Sequence, residues 1–154
     1  MKKTILILFY ILISPSNALA QDPSFFGKYC WNMIITDDTT GLTLPATFVL
    51  TTDIVKMGRA SYSLIGYVTD PGDNPAIFSG VGQIIDSTLY LTLTGSQNHL
   101  TGGWRDSSLI HAEISTSTLS GTFYDVGNDF NATTRARDSS RYSAGTIEIA
   151  TSCP

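Results

Sequence analysis

Beyond residue 20, apolar residues recur at a period of two and form no helical stripe. Leu89, Leu91 and Leu93 fall on one side of an extended segment, with Tyr90, Thr92 and Thr94 on the other; Tyr29, Trp31, Met33 and Ile35 share a side in the same way. Side chains that alternate like this build a sheet with one face turned to a core, so the chain is predicted to be all-β. Short runs of Val, Ile, Thr, Tyr and Phe separated by Gly, Asp, Asn and Pro clusters predict strands at 28–36, 44–52, 60–69, 76–85, 88–94, 107–115, 118–126 and 145–151. The connections carry turn chemistry: Asp37 to Gly41, Asp70 to Pro75, Asp86-Ser87 and Thr116-Ser117. Two longer polar stretches, Thr94 to Asp106 and Gly127 to Ala144, are read as loops, the second with room for a short helix.

Eight strands on short links form an antiparallel meander, which either closes on itself or stacks as a two-sheet β-sandwich. The cysteines favour closure. Cys30 lies on the first predicted strand and Cys153 just past the last, and they are the only two in the chain. A disulfide between them brings the sheet's ends together, as in an eight-stranded antiparallel up-and-down barrel, where the first and last strands are neighbours and no edge is left open. In the chain-entropy account a closed loop of this length contributes on the order of 4 kcal/mol. Glycines within strands, at Gly66, Gly80, Gly82 and Gly121, suit the bends of a small barrel.

The first twenty residues have the three zones of an export signal. Lys2 and Lys3 precede an apolar stretch from Ile5 to Ile13, and Ala18-Leu19-Ala20 offers small residues where signal peptidase cuts. The stretch is too short to span a bilayer, and position 21 is Gln rather than a lipid-accepting Cys. The expectation is cleavage after residue 20, a single domain over 21–154, and a periplasmic or secreted location, where a disulfide persists. No other segment is apolar and long enough to cross a membrane as a helix. Without Lys2 and Lys3, seven basic residues face thirteen acidic ones, a net charge of −6. With no basic run, the mature chain offers nothing to nucleic acid or an anionic membrane.

The opening Phe26-Gly27-Lys28-Tyr29-Cys30-Trp31-Asn32 resembles the first strand of lipocalin-like and avidin-like barrels, the calycins, in which a Gly shortly precedes a Trp that plugs one end. Those families usually space the pair as Gly-x-Trp, whereas three residues separate Gly27 from Trp31 here. The resemblance implies a late Arg packed on the Trp. Arg141 is the candidate, with Arg135 and Arg137 as alternatives.

No catalytic signature is legible. His111 and Glu113 share a strand face, but such a pair is more often a hydrogen bond on a barrel wall than an acid–base couple. His99 sits in a Gly- and Asn-rich stretch and is expected to face solvent. No Gly-x-Ser-x-Gly elbow, phosphate loop or zinc helix is present. Asp70, Asp73 and Asn74 lie between prolines and read as a turn rather than a cation site, and no cofactor is called for. Asn131-Ala132-Thr133 matches a glycosylation acceptor, a match common by chance and idle in a bacterium, the source that the style of the leader suggests. The aromatics are more suggestive: inside a barrel, Trp31, Tyr62, Phe78, Trp104 and Phe123 either line a cavity for a small apolar or planar ligand or fill the interior. The leading expectation is a binding module using those five residues. The rival is a solid-cored structural or interaction protein that contacts another protein or a glycan.

Overall fold

The computed structural model describes residues 25–69, 73–100 and 103–154; the predicted leader, 1–20, lies outside them, as do Asp70, Pro71 and Gly72 of the predicted turn. Eight strands follow in order: β1 (Gly27–Asp38), β2 (Ala46–Lys56), β3 (Ser61–Val68), β4 (Ala76–Ile85), β5 (Thr88–Asn98), β6 (Trp104–Ser115), β7 (Ser120–Asn131) and β8 (Arg137–Ile149). Each pairs antiparallel with the next, and β8 pairs back onto β1, with Trp31 opposite Ile149 and Met33 opposite Ile147. The sheet is a closed up-and-down barrel. Cys30 and Cys153 form the disulfide, fastening β1 to the segment beyond β8.

All eight predicted strands exist, but the last four are longer than their apolar runs. β5 continues to Asn98 and β6 starts at Trp104, so most of the stretch read as a loop is strand. The polar stretch from Gly127 holds no helix: β7 runs to Asn131 and β8 starts at Arg137. The turn between them is organised by Asn131, whose Oδ1 accepts the backbone N–H groups of Thr133 and Thr134. That role, a side chain standing in for a turn's backbone acceptor, accounts for the Asn.

Period-two alternation fills the lumen unevenly. At one end Trp31, Tyr62, Leu64, Leu89, Leu91, Ile114 and Ile147 are all essentially without exposure. Phe25 closes this end, its ring edge-on to Tyr62 at 6.4 Å and tilted against Tyr29 at 5.7 Å, while Tyr29 stacks on Trp31. The Trp31 indole N–H donates to Thr52 Oγ1 at 3.0 Å, and that hydroxyl donates to Tyr29 O, so the buried indole N–H and the Thr52 hydroxyl are paired without water. Trp31 thus stops one end of the barrel. Arg141 does not pack on it. Trp31 pairs with Ile149, eight residues along β8 from Arg141, which puts the arginine at the opposite end. At about 3.3 Å per strand residue, that is most of the barrel's length.

Candidate functional site

The opposite end of the lumen, where the odd strands finish and the even strands begin, is not filled. A cavity of about 550 Å³ opens there, its inner wall formed by Met33, Ile35, Phe48, Phe78, Ile110 and Phe123. The volume falls in the range typical of small-molecule sites, roughly 300–1,000 Å³. Phe78 keeps its place because Gly95 lies opposite it on β5; a Cβ at residue 95 would collide with the Phe78 ring.

Above this apolar chamber the inward positions turn polar. In one cross-strand row Ile110 faces Asp125, Asp125 faces Ser143, and Ser143 faces Asp38. In the next, Ser108, Gly127 and Arg141 stand side by side, and beyond them Asp106, Asp129 and Ser139. A bulge between Ile35 and Asp37 shifts the phase of β1, so Asp38 rather than Asp37 points inward. Asp38 then accepts Ser143 Oγ at 2.7 Å, Thr40 N at 2.6 Å, Thr40 Oγ1 at 2.7 Å and Leu42 N at 3.2 Å. Burial alone would raise its pKa, but these hydrogen bonds hold it down at about 2.

Arg141 is the hub of the mouth. Its Nη1 donates to Asp106 Oδ2 at 2.6 Å and Asp129 Oδ1 at 3.3 Å, Nη2 donates to Ser108 Oγ, and Nε lies 3.8 Å from Asp125 Oδ2. His99, from the β5–β6 connection, bridges Asp73 (Nδ1–Oδ2, 2.5 Å) and Asp106 (Nε2–Oδ2, 3.0 Å). Burial pushes the Asp106 carboxyl up, but hydrogen bonds from His99 and Arg141 hold it below its ordinary value. Asp125 goes the other way. Burial raises its pKa, only partly offset by Arg141 and the Ser108 hydroxyl, and its Oδ1 is sealed from solvent without a partner.

The five aromatics singled out from the sequence divide between the two ends. Phe78, Trp104 and Phe123 line the cavity. Trp31 and Tyr62 do not: both are fully buried in the plugged end, against Thr52 and Phe25 respectively. The sequence reading missed Asp106, Asp125 and Asp129 and set Arg141 beside Trp31 at the other end; together these four make up the polar half of the site. Their signal was a period-two pattern continuing through polar residues: Phe123, Asp125, Gly127 and Asp129 alternate as strictly as Leu89, Leu91 and Leu93. His99 is also corrected, since the two carboxylates that grip it leave its side chain only 23% exposed. His111 faces outward between Tyr90 and Tyr124, with Thr92 Oγ1 at 3.2 Å from Nδ1 and Glu113 Oε1 at 3.7 Å from Nε2, a contact on the outer face of β6, opposite the cavity-lining Ile110. Among the described residues no group of three His, Cys, Asp or Glu side chains is arranged to hold a metal ion. No family model, curated protein or solved structure matches the chain.

Proposed function

We propose that this protein is an exported binding module that holds a small, apolar or planar molecule inside its barrel, in the manner of the lipocalin-like barrels its first strand resembles. The observation that carries the reading is the asymmetry of the lumen. One end is packed with side chains, while at the other Met33, Ile35, Phe48, Phe78, Ile110 and Phe123 form the base of a cavity that continues into the polar mouth. Chamber and polar mouth together enclose about 550 Å³, within the range of small-molecule sites. Export is supported by the Cys30–Cys153 disulfide, a bond that reducing compartments remove.

Native mass spectrometry of protein purified from its own host tests the reading. A bound small molecule would appear as extra mass that is lost on denaturation. The chain mass alone, with no gain when apolar compounds are added back, would favour the interaction protein. That rival draws on a different feature, the outward face of β2 to β4, where Val55, Ile65, Ile77 and Val81 are more than half exposed.

A further inference from the structure

The chamber is apolar, yet the rim above it is charged, and the balance of that rim sets which ligands enter; this inference rests on the binding reading above. Five carboxylates line the cavity, Asp38, Asp106, Asp125, Asp129 and Asp138, against two basic side chains, His99 and Arg141. Both bases are already engaged. Every nitrogen of Arg141 faces a carboxylate or the Ser108 hydroxyl, and both ring nitrogens of His99 face carboxylates. Neither is free to receive an anion. Even with His99 protonated and Asp125 neutral, the lining carries two more negative charges than positive.

Asp138 is exposed, and among the carboxylates set into the wall Asp125 is the least satisfied. It stands on β7 one inward position above Phe123, where the apolar wall gives way to the polar rim. Its one hydrogen bond comes from Ser108 at 3.3 Å, its nearest cation is the Arg141 Nε at 3.8 Å, and Oδ1 has no donor. An ionised carboxylate can accept about four hydrogen bonds; Oδ1 is sealed from solvent, so a ligand N–H meets it only when the carboxyl turns about its soft last torsion. On an open surface such carboxylates would be a solvated rim. Here they stand around the mouth of a cavity whose base is apolar.

We propose that the cavity selects an amine: a compact or planar apolar body seated against Phe78, Ile110 and Phe123, with one protonated nitrogen directed at Asp125 and Asp129. Apolar anions, fatty acids among them, are excluded by the same charge. Burial of the body supplies the attraction common to all apolar ligands, and the charge-assisted hydrogen bond distinguishes the amine.

Three probes that share one ring separate these contributions: tryptamine (cationic), 3-methylindole (neutral) and indole-3-acetate (anionic), titrated calorimetrically into the full mature chain. Tryptamine is expected to bind about tenfold or more tightly than 3-methylindole, the scale of one charge-assisted hydrogen bond, with indole-3-acetate weakest. Asp125→Asn should narrow the tryptamine advantage over 3-methylindole by about tenfold; if that variant does not fold, Asp129→Asn serves in its place with the same expected direction. Equal binding of tryptamine and 3-methylindole, or tightest binding of indole-3-acetate, overturns the charge selection and leaves the cavity reading standing. No binding by any of the three overturns both.

Discussion

Arg141 reaches across β7 to place its Nη1 2.6 Å from Asp106 Oδ2 on β6, and the residue it passes over is Gly127. A Cβ at that glycine would stand 2.6 Å from Arg141 Nε, so the bare backbone is what lets the guanidinium lie flat along the wall. Gly127→Ala should therefore push Arg141 off its carboxylates. Arg141→Met removes it altogether and leaves Asp106, Asp125 and Asp129 without a strong counter-charge. Loss of one partner from a largely buried ion network typically costs about 3 kcal/mol. Asp106 has a depressed pKa in the fold, so its stabilisation is present above the unfolded value and lost as pH falls. The Arg141→Met deficit should then hold from pH 7 down to about pH 4, near the unfolded carboxyl value, and shrink only below it, read by urea unfolding at pH 7 and about pH 3. A deficit independent of pH would show that the arginine acts by packing alone.

His99 gives the opposite sign. Burial disfavours its charged form, but the hydrogen bonds to Asp106 and Asp73 outweigh that and raise its pKa above 6.5. A raised histidine stabilises the fold fully below its unfolded pKa, and the contribution disappears as pH climbs through the folded value. His99→Gln should thus lower the melting temperature relative to wild type at pH 6 and bring the two together by pH 8.5. Parallel melting curves across that range would mean the ring is not charged in its clasp.

How much of this was legible follows from what alternation can and cannot report. Leu89, Leu91, Leu93 and the β1 set announced the sheet because hydrophobic contrast marks their inward face. Cys30 and Cys153 favoured closure because they lie at the two ends of the meander, which a barrel makes adjacent. Beyond Val126 the same alternation continues in Asp129 against Asn128 and Phe130, where both faces are mixed and contrast vanishes, so strand looked like loop. The β1 bulge is invisible for a related reason. A period-two count carries Ile35 on to Asp37, and only the paired strand reveals that Asp38 takes the inward place. Trp31 and Tyr62 were grouped with Phe78 because composition says which residues face in, but not at which end of a lumen they sit.

The phase of β5 is checkable directly. Leu91 is buried at 1% exposure, whereas Thr92 faces outward beside His111. Asp at Leu91 should cost several kcal/mol, on the order of 3–5, through an unpaired buried charge. Asp at Thr92 should cost less than about 1 kcal/mol, as surface changes do. Comparable losses in denaturant titrations would contradict the register.

The disulfide closes a sequence separation of 123 residues, and its removal should act mainly through the unfolded chain. Cys30→Ser paired with Cys153→Ser is expected to lower stability by about 2–4 kcal/mol and the melting temperature by several degrees, with the barrel intact by far-ultraviolet circular dichroism. An unchanged melting temperature would show that the β1–β8 ladder holds the ends together without it.

The central claim is that the open end of the barrel is a binding chamber and not an unfilled corner of the core. N-phenyl-1-naphthylamine, a planar apolar dye that is uncharged at neutral pH and brightens out of water, is the direct probe. The mature protein should raise its emission saturably and with a one-to-one midpoint, and the melting temperature should climb as dye concentration rises, as mass action requires. Ala76→Trp, which places an indole in the cavity from its rim, should abolish both effects while the variant still melts cooperatively. Emission that stays at its value in buffer, together with a melting temperature indifferent to the dye, would contradict the account.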